Sequence, residues 1–235
     1  MSFVDIGILL ILSVCVLAGI YRGFLSTALH IGATLVSLLT ARILTPLLAG
    51  WIRGREALYN MLLYYTEGAE FVAATDVELT RTPITQITAE QLRLILKNAD
   101  MPLPMDSAIT KNIAVEAFKS DGITTLGDYF NMTIVSVTIN IFCIVILFVL
   151  LRLILGFLIG GIDYARNGMP MLRRGDGALG GSLGFIHGIL LLFVLFLLLP
   201  AALVVLPRLY GFLSESIFGV FFYKANILIE LIPYT

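Results

Sequence analysis

Apolar residues in this chain fall into four long runs instead of the one-sided or alternating spacing of a water-soluble domain. They cover about residues 4–20, 24–49, 131–162 and 178–206. At a rise of 1.5 Å per residue, about 20 helical residues cross the hydrocarbon core of a bilayer. The first run therefore barely spans it. The third is longer than a crossing needs and has to tilt, bend or project beyond the lipid. The pattern predicts an all-α, polytopic membrane protein with four transmembrane helices.

Polar residues concentrate between the second and third runs. Residues 51–128 hold 7 Lys or Arg against 11 Asp or Glu. Thr88-Ala89-Glu90-Gln91 has the spacing of a capping box and opens an amphipathic run through Leu92, Ile95 and Leu96. Met101-Pro102-Leu103-Pro104 stops that helix. Asp106 is then placed to cap another, with Ile109, Ile113 and Phe118 following at roughly helical spacing. The stretch from Tyr59 to Tyr65 reads either as a continuation of the second span or as an interfacial segment. In the tail, Leu209, Phe212, Leu213, Ile217, Val220 and Phe221 recur at three and four residues, which predicts an amphipathic helix in the headgroup region; a partial fifth span competes. The chain thus divides into a hairpin at 1–50, a small helical extramembrane insert at 51–128, a second hairpin at 129–206 and an amphipathic C-terminal helix at 207–235.

Composition agrees with the pattern. Apolar residues make up 59% and charged residues 13%, against about 45–50% and about 25% in soluble proteins. A net charge of −1 gives no electrostatic reason to expect nucleic acid. The first run lacks the basic flank and small-residue cleavage site of a secretory signal, so it reads as an uncleaved helix. Cys15 and Cys143 both sit in apolar runs and read as buried thiols. Basic residues in the short loops set orientation. Arg22, Arg166, Arg173 and Arg174 outnumber Arg208 and Lys224, which puts both termini and the insert outside and the short loops in the cytoplasm.

Three groups of residues carry a resemblance. Asp5 opens the first run, and the turn that follows it reads Gly19-Ile20-Tyr21-Arg22-Gly23-Phe24. Asp176 stands four residues ahead of Gly180, and Gly180, Gly184 and Gly188 then recur every fourth residue. Two spans, an insert and two more spans complete the order. The chain resembles the colicin V production protein (CvpA) family of bacterial inner-membrane proteins, with a Gram-positive-like insert. His187 stands where that family often has Arg. The resemblance implies a non-enzymatic part in toxin export or production and in envelope homeostasis, without cofactors. It also fits partners limited to the lipid bilayer, further copies of the chain in a homo-oligomer and other envelope or export proteins.

The residues have their own physical reading. Glycine tolerates the positive φ that a reversal within about three residues requires, while Arg22 suits an anionic leaflet. The glycine stripe lets a second backbone approach, within the subunit or between subunits. Gly180-Gly181-Ser182-Leu183-Gly184 matches a hydrolase nucleophile elbow in letters, but that motif needs a strand, a turn and a helix. Here it opens a membrane helix, so no catalytic residue is assigned. Two scattered histidines without neighbouring carboxylates make no metal site.

Polar groups at membrane depth usually face the protein interior. Asp5 lies 17 residues before Arg22 and Arg42 lies 20 after it, so both reach about 25–30 Å from the inner turn. They either pair or enter the outer headgroups separately. His30, Arg152 and His187 each fall about 12–15 Å from an inner helix end by the same rise. Either they form a polar belt lining a solute, proton or anion path, as in a small channel or secondary transporter, or they merely satisfy buried carbonyls and, for Arg152, snorkel inward.

Overall fold

The computed structural model describes residues 2–73, 76–99, 101–166 and 177–235. Four helices within them are long and apolar enough to cross a membrane: Phe3–Arg22, Phe24–Arg53, Leu126–Gly161 and Gly177–Val205. Residues such as Leu10, Val14, Val36, Ile43, Ile154, Phe157 and Ile186 stand exposed along them. Such a surface would aggregate in water and is the expected one against lipid tails. The chain is an all-α, multi-pass membrane protein.

Described residues pack as two compact units. One gathers those within Met1–Thr45, Ile144–Leu198 and Arg208–Leu228. In it, α1 (Phe3–Arg22) and α2 (Phe24–Arg53) meet at Gly23, whose φ of 79° and ψ of 175° fall where only glycine is comfortable. The helix α8 (Gly177–Phe196) runs along α1. It stops before Pro200, which has no N–H to offer the Phe196 carbonyl; a turn at Leu197 and Leu198 leads into α9 (Leu199–Val205).

The tail corrects the expectation of a single amphipathic helix. Its period is interrupted at Ser216, whose backbone is extended (φ −102°, ψ 123°) and whose hydroxyl accepts from Gly219 N at 2.8 Å. Two short helices result, α10 (Leu209–Ser214) and α11 (Ile217–Lys224). Phe222 of α11 packs against Phe193 and Phe196 of α8, with ring centroids 5.3 and 5.7 Å away.

The second unit gathers described residues within Pro46–Cys143, Leu199–Pro207 and Ile229–Thr235. Its insert holds α3 (Glu56–Thr66), α4 (Ala69–Ala73), α5 (Ala89–Ala99) and α6 (Met105–Ala114), followed by the start of α7 (Leu126–Arg166). The Tyr-rich stretch is a separate helix, because Gly54 ends α2 and Arg55 turns extended at φ −102°. The capping box at α5 forms as read: Thr88 N donates to Gln91 Oε1 at 2.9 Å and Gln91 N to Thr88 Oγ1 at 3.2 Å. Asp106 is no cap. The helix begins one residue earlier, at Met105, with Pro104 in the capping position. Ala49, Val135, Ile139 and Cys143 form a core covered by Leu48, Ile52, Tyr59, Leu62 and Leu63, and burial there pushes the Tyr59 phenol above its ordinary pKa. Two asparagines hold the last residues by their carbonyls. Asn112 Nδ2 donates to Tyr234 O and Asn140 Nδ2 to Pro233 O, each at 2.9 Å. Both cysteines are free thiols.

Candidate functional site: a glycine seam, a capped acid and a polar belt

Within the first unit, the glycines singled out from the sequence meet across one seam. A Cβ built on Gly19 would collide with the Gly180 carbonyl, and one on Gly180 would lie 2.9 Å from Gly23 Cα. At Gly184 it would strike the Cys15 carbonyl, and at Gly188 it would come within 3.0 Å of Leu12 Cδ2. Backbone rests on backbone, which is what small residues every fourth position permit between membrane helices. The stripe is therefore taken up inside the subunit. Arg22 ends α1 as an exposed cation in its last turn, where the helix dipole favours it. Asp176 lies outside the described residues.

Asp5 has a different partner from the expected one. Its Oδ1 accepts from Ser216 Oγ at 2.6 Å and from Phe218 N at 3.1 Å, and its Oδ2 from Ser2 N at 3.0 Å. The carboxylate thus sits at the start of α11 and satisfies N-terminal donors of that helix. Only 2% of Asp5 is exposed. Among the described residues no ion pair joins it to Arg42. Equal depth does not fix direction: Arg42 stands 12 residues beyond His30 on α2, so it is rotated about 120° from the face on which His30 is buried.

The second depth coincidence does become a cluster. Arg152 on α7 donates from Nη2 to His30 Nδ1 at 2.8 Å and from Nε to Thr34 Oγ1 at 3.2 Å. Thr34 Oγ1 also lies 3.0 Å from His187 Nε2 on α8. The two imidazoles are stacked, 6.5 Å between centroids. Gly156 helps, because a Cβ there would meet Arg152 Nη1 at 3.4 Å and narrow the guanidinium's space.

Hydrogen-bond accounting assigns the protons. A guanidinium has no lone pair to accept with, so His30 Nδ1 is an acceptor and carries no proton. Thr34 gives its single hydroxyl proton to the His30 carbonyl at 2.9 Å. Its contact with His187 must then be donated by Nε2–H. On this assignment both histidines can be neutral, and the belt carries the one fixed charge of Arg152. No carboxylate of the described residues contacts that charge.

Thr34 joins all three predicted residues, yet sequence reasoning passed over it. Its signal was its place four residues after His30, the same face one turn on. Ser216 was missed as well, although serine is among the residues preferred at the N-cap of a helix. Ser182, the serine of the elbow-like motif, donates to Ala178 O on its own helix at 3.0 Å. No histidine is among its described hydrogen-bond partners, and His187 faces Thr34 instead.

No curated protein and no solved structure matches the chain. The family model for colicin V production protein matches residues 4–75. Over that third of its length, which contains Asp5, the glycine turn and all of α2, the chain is similar to the colicin V production protein family.

Proposed function

We propose that this chain acts as a non-enzymatic membrane protein of the colicin V production type, serving toxin export or production and envelope homeostasis. The observation that carries the reading is the family match over residues 4–75, whose turn motif also has a clear structural use at Gly23. Both termini and the insert lie outside and the short loops in the cytoplasm, a reading supported by the basic residues of those loops. Since α1 occupies the glycine stripe of α8, a homo-oligomer would use surfaces other than that stripe. Deleting the gene in its own host is the test. Peptide-toxin secretion and resistance to envelope stress should fall and be restored by the intact gene; unchanged secretion and resistance would contradict the reading.

A second reading is favoured by one observation of its own, the belt of Arg152, His30, Thr34 and His187. An intramembrane cation bonded only to neutral groups costs stability that packing alone would not require. In this reading the chain is a small channel or secondary transporter, and the belt lines its path. Solute flux through the purified chain in proteoliposomes separates this reading from a purely structural belt.

A further inference from the structure

The belt belongs to a longer feature. Ser26, Thr27, His30, Thr34, Ser37, Ala41 and Thr45 are all buried, each at 8% exposure or less. At 3.6 residues per turn they fall on one face of α2, and from first to last they cover about 28 Å, close to the hydrocarbon thickness. Thr27 and Thr45 spend their hydroxyl protons on the carbonyls four residues back, as Thr34 does. Ser37 does not. Its Oγ is fully buried and has no hydrogen-bond partner. A buried polar atom left so needs a water or a ligand to satisfy it.

Ser37 follows Thr34 by one turn, so the two side chains are roughly 5–6 Å apart. Arg152 reaches Thr34 and His30 from α7, with two of its five N–H groups used by them. An unspent hydroxyl proton and a guanidinium with donors remaining thus stand on either side of Thr34. Donors and positive charge predominate, and no carboxylate of the described residues offsets them. Cations are repelled by such a site and a single negative charge is attracted.

We propose that Arg152 and Ser37, on either side of Thr34 and backed by His30 and His187, bind one small monovalent anionic group within the membrane. This deepens the channel or transporter reading by naming its class of solute, and in its transport form it rests on that reading. The same chemistry could be presented by a dissolved anion such as chloride or by the phosphate of an anionic lipid.

The test uses the purified full-length chain in phosphatidylcholine proteoliposomes, with radiochloride and radiorubidium as probes. Chloride uptake should exceed that of protein-free vesicles. It should fall about tenfold or more in Arg152→Met, the loss expected for a charged hydrogen-bonding group, and by a smaller factor in Ser37→Ala. Arg152→Lys should keep part of it. Ser37→Ala removes a single atom, so it folds even if Arg152→Met does not. A parallel preparation containing phosphatidylglycerol reports the second source. Stoichiometric lipid retention that Arg152→Met and Ser37→Ala both weaken, without chloride uptake, identifies a headgroup as the anion; it upholds the site while overturning transport. Rubidium uptake without chloride uptake would overturn the anion and leave transport standing. Absence of chloride uptake together with lipid retention indifferent to both substitutions would overturn the site.

Discussion

Asp5 and Arg152 are both charges inside membrane-spanning helices, and their surroundings differ in kind. Asp5 is 2% exposed and accepts from Ser2 N, Ser216 Oγ and Phe218 N. Three donors and a helix N-terminus balance its negative charge. Arg152 is half-buried and bonds to a threonine oxygen and an imidazole nitrogen, neither of which offsets its positive charge. A charge whose environment is complete serves the scaffold, whereas one held by neutral partners keeps capacity for something else. Asp5 pins the tail, and Arg152 has no counter-charge among its described hydrogen-bond partners.

The comparison can be broken most easily at its structural end. Asp5→Ala leaves the Ser216 hydroxyl, Phe218 N and Ser2 N without their acceptor, at about 1–3 kcal/mol for each that stays buried. Thermal or denaturant unfolding in detergent should show a loss of about 3 kcal/mol, and the tail should become sensitive to protease. Asp5→Asn keeps one acceptor oxygen and should recover part of the loss. Stability unchanged in Asp5→Ala would remove the latch.

Gly184→Ala comes next, because its Cβ meets the Cys15 carbonyl. Overpacking of this kind costs about 1–3 kcal/mol. Gly32→Ala is the control: nothing lies within 4 Å of its added carbon, and removing a helical glycine should stabilise by about 0.5–1 kcal/mol. Equal effects of the two substitutions on the unfolding midpoint would show that the seam is not the close contact described.

Arg152→Met should alter stability by less than about 1 kcal/mol, since the lost hydrogen bonds are offset by no longer holding a cation in the membrane. An unfolding loss as large as that of Asp5→Ala would make Arg152 a second structural charge and erase the distinction.

The smallest effect is expected outside the membrane, between Glu67 and Glu70. A hydrogen bond to Glu70 and repulsion from it hold the Glu67 carboxyl above its ordinary value of 4.5. The folded state therefore binds this proton more tightly than the unfolded chain does. Its contribution is present at low pH and is lost as pH rises through and above 4.5. Glu70→Gln should flatten that slope slightly in a pH series of unfolding midpoints; a steeper slope would contradict it.

The four spans and the α5 capping box were legible because they depend on run length and local spacing. Depth was legible too, since helical rise is constant, and it brought His30, Arg152 and His187 to one level. Azimuth was not. Counting residues put Asp5 and Arg42 at similar depth without saying which way either pointed, and the side chain that completes Asp5 comes from Ser216, 211 residues away. The tail failed for a related reason. An apolar period at three and four residues does not record that one serine leaves the helix to cap the next segment.

The central claim, that the buried face of α2 beside Arg152 is a wet polar site and not dry packing, can be tested without knowing its solute. Ser37→Cys would be placed in a chain carrying Cys15→Ala and Cys143→Ala, and treated in native membranes with a charged, membrane-impermeant thiol reagent from each side. Labelling at Ser37→Cys, slower than at an exposed Ser107→Cys control and suppressed by chloride, is the predicted result. A cysteine at this position that stays unlabelled from both sides while the control reacts would contradict it.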